Sequence, residues 1–242
     1  MSRPRSLRFW LVSAAAALGI AATFSLGVWQ MGRAAQKLAL QSAIEHRKAM
    51  PPLRQGDVLA AGPLPEQMHR PVVLRGTWVA GDTVYLDNRQ MQGKPGFYVV
   101  TPLKLEGSQV AVLVERGWVQ RDFLQRDRLP SIETPGGVVE VRGRMAPPPA
   151  KLYEFTGTAA GPIRQNLDLA QFRAETRLAL LDLAVRQTGA PSEGLLREWP
   201  QAASGVEKHY GYTFQWWALS ALIAILYVWF QFIAPRRKIP HA

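Results

Sequence analysis

Cysteine is absent from this chain of 242 residues, so disulfides, thiolate catalysis, iron–sulfur ligation and cysteine-based zinc sites are excluded at once. The absence does not decide the redox compartment, because a domain of this size can stand on its core alone. The usual enzyme signatures are missing as well. There is no G-x-S-x-G, no H-E-x-x-H, no P-loop and no glycine-rich dinucleotide pattern after a strand. Gly93-Lys94-Pro95-Gly96 sets a lysine between glycines but lacks the helix that a phosphate cradle requires, and reads as a hairpin turn. No pair among the 18 acidic residues stands out by spacing, and no catalytic role is expected. Internal repeats and low-complexity tracts are also missing. The net charge of +11 invites a nucleic-acid partner, but no dense basic run could track a phosphate backbone. Arg3, Arg5 and Arg8, with Arg236, Arg237 and Lys238, supply six of those charges directly beside apolar segments. A membrane explains them better.

What the chain does have is two very apolar ends around an ordinary polar middle. Phe9 to Trp29 carries no charged residue over about 21 positions, enough to span a ~30 Å hydrocarbon core at 1.5 Å per residue. The rival reading is a cleaved signal peptide, with small-residue sites at Ala15-Ala16-Ala17 and Ile20-Ala21-Ala22. Signal-peptide apolar regions run only about 7–15 residues, so a retained anchor is expected. No stretch before the basic cluster could serve as a mitochondrial transit peptide, and a bacterial chain is expected. A second apolar run extends from Tyr212 to Ala234 and is followed by Pro235 and the second basic trio. Positive residues beside short segments stay in the cytoplasm, so both termini are expected inside. Trp29, Trp216 and Trp217 would then sit at the outer interface.

The expected order is a basic cytoplasmic tail (1–8), a transmembrane helix (9–31), a periplasmic domain (32–208), a second transmembrane helix (209–234) and a basic tail (235–242) in the bacterial inner membrane. Arg33 to Lys48 has helical composition without Gly or Pro, so the first helix runs on until Pro51-Pro52 stops it. Strand-like runs follow at Pro71–Val79, Thr83–Asn88, Phe97–Leu105, Val110–Val119 and Val138–Met145. The fold class expected is a membrane protein whose two helices flank an α+β domain with an antiparallel, strand-rich core of barrel or sandwich type. Asp168 to Thr176 reads as a short helix. Leu178 to Arg186 fits a strand or a helix equally, since its apolar positions settle no period.

Of the four histidines, His46, His69 and His241 read as solvated surface residues. His209 differs by position. Ser204-x-x-Glu207 has the form of a capping box, and a helix starting there carries His209 in its first turns. His209, Tyr212, Thr213 and Trp216 then share one face. An interfacial aromatic belt accounts for that face. So does axial ligation of a heme iron by an imidazole at the water–lipid boundary. Gln30, Arg33 and Lys37 share a face just outside the first span, where cations run against the inside bias and need partners. Acidic lipid would serve, and so would heme propionates, which match the planar fork of Arg33.

Several separated motifs carry a family resemblance. They are Leu26-Gly27-Val28-Trp29-Gln30 followed by Arg33 and Lys37, Leu74-Arg75-Gly76-Thr77-Trp78, Asn88-Arg89, and Gly96 through Leu103. Val112 through Val119, containing Glu115-Arg116-Gly117-Trp118, and His209-Tyr210-Gly211-Tyr212 with Trp216 and Trp217 complete the set. In this order the motifs resemble the surfeit locus protein 1 family of cytochrome c oxidase assembly factors. Lys208 and Tyr210 stand where the family commonly has Asn and Leu, and Glu115 where it often has Asn. The resemblance implies help in building the heme–copper centre of oxidase subunit I, with subunit I and heme a synthase as partners. It also implies heme a as cofactor, with His209 on the iron and Arg33, Tyr212 and Trp216 around it. Arg89, Arg116 and Trp118 are expected to serve the fold, the last two in a turn that ends a strand. A heme-free scaffold gripping oxidase subunits is the alternative function, and a hydrolase of the envelope is the third.

Overall fold

The computed structural model describes residues 6–61, 65–122, 124, 125, 128–149, 161–200 and 205–235. Ser204 and the basic residues nearest both termini, Arg8 excepted, lie outside them. The elements in chain order are α1 (Leu7–Lys48), β1 (Leu53–Arg54), α2 (Gln55–Ala61), β2 (Pro71–Trp78), β3 (Val84–Met91), β4 (Lys94–Leu105), β5 (Val110–Gln120), β6 (Val138–Ala146), β7 (Ile163–Arg164), α3 (Leu169–Thr176), β8 (Ala179–Gln187) and α4 (Val206–Val228), the last extended by a π-helical turn at Trp229–Ile233. The chain divides into two compact units, residues 1–43 with 202–242, and residues 44–201.

The first unit is a pair of helices. Both are long and apolar enough to cross a membrane, and only 11% and 6% of their most apolar windows are buried within the protein. A core helix of a soluble domain would be mostly covered. The buried residues of α1 are Thr23, Gly27 and Ala34, and those of α4 are Val206, Thr213 and Ser220. The α4 set repeats every seven residues, the spacing that keeps one seam facing a partner helix. Small and hydroxyl side chains fill this seam, while Phe24, Trp29, Phe214 and Ile225 point away from it and are exposed. That inversion suits helices in lipid, where close backbone approach and hydrogen bonds do the work that apolar burial does in water. Ser220 Oγ donates to the Ile20 carbonyl at 3.3 Å, and Ser13 and Tyr227 share a 2.7 Å hydrogen bond.

The second unit is strand-rich and built on one sheet in the order β1-β2-β6-β8-β5-β4-β3-β7. A further pairing of β2 with β4 closes β2, β6, β8, β5 and β4 into a five-stranded barrel. Gly76 makes the closure possible. A Cβ there would lie 2.3 Å from the Lys104 carbonyl oxygen, so only glycine lets β2 pair with β6 and meet β4 as well. Val72, Leu74, Leu103, Leu105, Val112, Val114, Val141, Met145, Leu183 and Val185 belong to the largest core cluster.

The expected strand-rich core of barrel type is found, and most of its pairings are antiparallel, but not all. β5 pairs with β8 in parallel, as do β1 with β2 and β3 with β7. The parallel β5–β8 pair is buried on both faces. Leu183 and Val185 join the cluster just described, whereas Leu180 and Ala184 join a second one with Ala111, Leu113 and Phe172 of α3. Burial on both faces produces a continuous apolar run with no period of two, which is why Leu178 to Arg186 fitted strand and helix equally. α3 starts where Asp168 accepts hydrogen bonds from the backbone N–H groups of Ala170 and Gln171.

Arg116-Gly117-Trp118 is not a turn that ends a strand. It lies inside β5, where the pairing with β4 slips by one residue between Val99 opposite Gly117 and Val100 opposite Glu115. Arg116 is the extra residue of this bulge. Its side chain is fully buried. Nη1 donates to Thr134 Oγ1 at 2.8 Å, Nη2 donates to the Glu133 carbonyl at 2.6 Å and to Glu193 at 2.8 Å, and Cζ lies 4.7 Å from the Trp78 ring centre. Two sequence-remote loops are thereby tied to one guanidinium. Trp118 Nε1 donates to the Arg89 carbonyl at 2.9 Å, and Arg89 Nη2 donates to the Gln165 carbonyl at 3.1 Å. These three residues hold the barrel's loops.

Candidate functional site

His209 lies in the first turn of α4, which begins at Val206 after Gly205 in a left-handed conformation and without a side-chain cap. The ring is half-buried. Its Nδ1 is 2.7 Å from Gln30 Oε1 on α1. The Gln30 oxygen accepts from Nδ1 in the tautomer that carries its proton there, and in that tautomer the lone pair falls on Nε2. No hydrogen bond engages Nε2 among the described residues. Metal-binding imidazoles are oriented in this way, with one nitrogen anchored to an acceptor and the other left as the ligand.

The contacts directly below hold this geometry in place. Thr213 Oγ1 donates to the His209 carbonyl at 2.9 Å and approaches the Gly27 carbonyl at 3.5 Å. Gly27 admits the Trp217 indole, since a Cβ there would stand 2.2 Å from Trp217 Nε1. Trp217 also stacks on Phe24, with ring centres 6.1 Å apart. The spacing of α4 therefore splits the expected face. His209 and Thr213 turn to α1, Trp216 is half-buried, and Tyr212 is 50% exposed.

Arg33 is exposed and engages its own helix, donating from Nη1 to Gln36 Oε1 at 3.2 Å with Cζ 5.6 Å from the Trp29 ring centre. Lys37 Nζ is 3.4 Å from where a Cβ on Gly205 would stand, at the start of α4. Gln30, Lys37 and His209 thus come to one end of the helix pair, whereas the guanidinium of Arg33 is held along α1. The pairing of Gln30 with His209 was not visible in the sequence, which placed Gln30 only among the cations of its own helix. A neutral amide on the same face as a functional candidate was the available signal.

Among the described residues no group of three or more His, Cys, Asp or Glu could hold a metal ion. A metal ligated by protein groups alone has no cage there. A porphyrin brings four nitrogens of its own, so a single imidazole with a free Nε2 is a donor set that fits it.

The model of the SURF1 family matches residues 17–221, which take in both Gln30 and His209 as well as the barrel. The chain belongs to the SURF1 family. Relatives within or near this family include the surfeit locus protein 1 of Rattus norvegicus, 26% identical over 240 residues that cover 87% of this chain and 72% of the rat protein. A SURF1-like protein of Rickettsia felis is 25% identical over 215 residues, covering 84% of this chain and 89% of its own length. The cytochrome oxidase assembly protein SHY1 of Saccharomyces cerevisiae is 26% identical over 105 residues, covering 43% of this chain. The matched part spans 27% of the yeast protein's length. SURF1 family membership thus covers the barrel and most of both helices.

Proposed function

We propose that this chain is an assembly factor for a heme–copper cytochrome oxidase, assisting the insertion of heme a into subunit I or stabilising that subunit. In this reading α1 and α4 cross the bacterial inner membrane, both termini face the cytoplasm and the barrel lies in the periplasm. Family membership supports the oxidase assignment, as does the name of the yeast relative. The observation that carries the heme reading is the His209–Gln30 hydrogen bond, which leaves Nε2 as the one uncommitted ring nitrogen.

Bound heme would supply an iron that takes a nitrogen ligand, and His209 would provide it. The chain's own part is to hold the imidazole still. Gln30 sets the tautomer and Thr213 ties the backbone of His209 to the seam. Tyr212 and Trp216 offer aromatic surface beside it. Lys37 offers a cation for a carboxylate on the same end of the pair, and Arg33 reaches one only by leaving Gln36.

The test is complementation of a strain lacking the protein, with heme a content of the oxidase as readout. His209→Ala should leave the protein in the membrane at normal abundance and cut the heme a content of subunit I severalfold. Normal oxidase in that strain would sink the heme reading and favour the heme-free scaffold.

A further inference from the structure

A second charged site lies in the unit formed by residues 44–201. In the register of β6 and β8, Arg144 stands directly opposite Arg186. Like charges directly opposite on neighbouring strands lie about 5 Å apart at Cβ and repel. The next residue in that row is Glu115 of β5. Its carboxylate is 1% exposed and accepts from Arg186 Nε at 2.5 Å. Arg144 forms no ion pair among the described residues. His69 joins the same edge, because its backbone N–H donates to the carbonyl of Met145 at 2.9 Å, the residue after Arg144.

The last turn of α1 adds Arg47 and Lys48. Lys48 is bound to Glu45 at 2.6 Å. His69 experiences Arg47, Lys48, Arg144 and Arg186 together, and with burial these hold its imidazole below the ordinary range. All five side chains are partly buried. Four permanent cations facing the two carboxylates Glu45 and Glu115 leave two positive charges unmatched.

We propose that Arg47, Lys48, His69, Arg144 and Arg186 form a binding site for a doubly charged tetrahedral oxyanion of the phosphate class. A carboxylate brings one negative charge and leaves half of the surplus, whereas a phosphate group near neutral pH brings about two. Arginine forks pair with its oxygens in bidentate fashion. The site does not depend on the oxidase reading. A phosphate bound here relieves the opposition of Arg144 and Arg186 and favours protonation of His69. Anion binding therefore takes up a proton and tightens as pH falls.

The experiment uses the full chain in detergent, with inorganic pyrophosphate, sulfate and acetate at matched ionic strength. Pyrophosphate and sulfate should raise the melting temperature, and acetate should not. Arg144→Gln should melt higher than the wild type without added anion and lose most of the pyrophosphate response, with pyrophosphate affinity falling at least tenfold. Sulfate does not titrate in this range, so its binding should tighten from about pH 8 to about pH 5, and His69→Gln should flatten that slope. Competition for bound pyrophosphate by vesicles containing phosphatidic acid, whose phosphomonoester carries up to two charges, but not by phosphatidylcholine vesicles, assigns the phosphate to a lipid headgroup; indifference to both assigns it to a soluble ligand. Equal responses to pyrophosphate and acetate, or an Arg144→Gln protein that responds like the wild type, would overturn the site.

Discussion

The two units of this protein hide opposite kinds of residue. In the helix pair the buried positions are Thr23, Gly27, Ala34, Val206, Thr213 and Ser220, all but Val206 small or hydroxyl-bearing, and most large side chains face outward. In the barrel the buried positions are Leu74, Phe97, Leu103, Leu113 and Leu183, with Arg116 fully enclosed among loops. The barrel obeys the rule for water, where apolar area is what must be covered. The pair has the pattern that helices in lipid would have, where backbone proximity and hydrogen bonds are what remain to be gained. A site made of one histidine and one amide can sit in the second environment because its neighbours are small enough to let the helices touch.

The largest effect should come from emptying the barrel's buried charge. Arg116→Ala removes three hydrogen bonds and leaves the Glu193 carboxylate only Arg197, at 3.6 Å, and breaking a buried pair costs about 3–5 kcal/mol. Denaturant unfolding of the full chain followed by tryptophan fluorescence reads this loss. Arg116→Lys should recover only part of it, since one ammonium cannot reach Thr134, Glu133 and Glu193 together. A loss below about 1 kcal/mol would mean that the loops stand without the guanidinium.

The corresponding break in the helix pair is Gly27→Leu, which drives a branched side chain into the Trp217 indole. The absence of native cysteine makes a clean assay. An Ile20→Cys, Ser220→Cys pair should cross-link on oxidation in membranes and fail to do so when Gly27→Leu is added. Stability of the barrel should not change. Retained cross-linking would show that the seam tolerates bulk and that its small residues are incidental.

Much of this contrast was legible in the sequence. Two uncharged apolar runs and five β-rich segments follow directly from composition and period. The barrel closure was not legible, because it depends on Gly76 approaching Lys104 across a distant pairing that local periodicity does not encode. The bulge at Arg116 looked like a turn, since Arg-Gly-Trp has turn composition. β8 was ambiguous because both its faces are buried. At the candidate site His209 was legible from its position beside an apolar run, while its partner Gln30 was not, being 179 residues away.

Smaller effects refine the barrel side. Asp168→Ala removes the side-chain acceptor for two N–H groups at the start of α3 and should cost about 1 kcal/mol in the same unfolding assay, with Asp168→Asn nearly neutral. The smallest effect is electrostatic. The Arg164 guanidinium beside Glu175, at 2.6 Å, holds that carboxyl below the usual carboxylate range. A lowered folded value stabilises the protein above the unfolded value of about 4.3 and is lost as pH falls through the folded one. Glu175→Gln should therefore lower stability by less than about 1 kcal/mol at neutral pH, and the gap from the wild type should close in acid. A gap that persists or widens in acid would assign the loss to packing.

At the centre of the candidate site stands an imidazole with Nδ1 on Gln30 and Nε2 open. Its most direct test is the visible and electron paramagnetic resonance spectrum of the purified full chain loaded with heme a, beside His209→Ala. The wild type should give a nitrogen-ligated heme spectrum, and His209→Ala should lose it while keeping its helical content. Identical spectra from both proteins would contradict the assignment of His209 as the ligand.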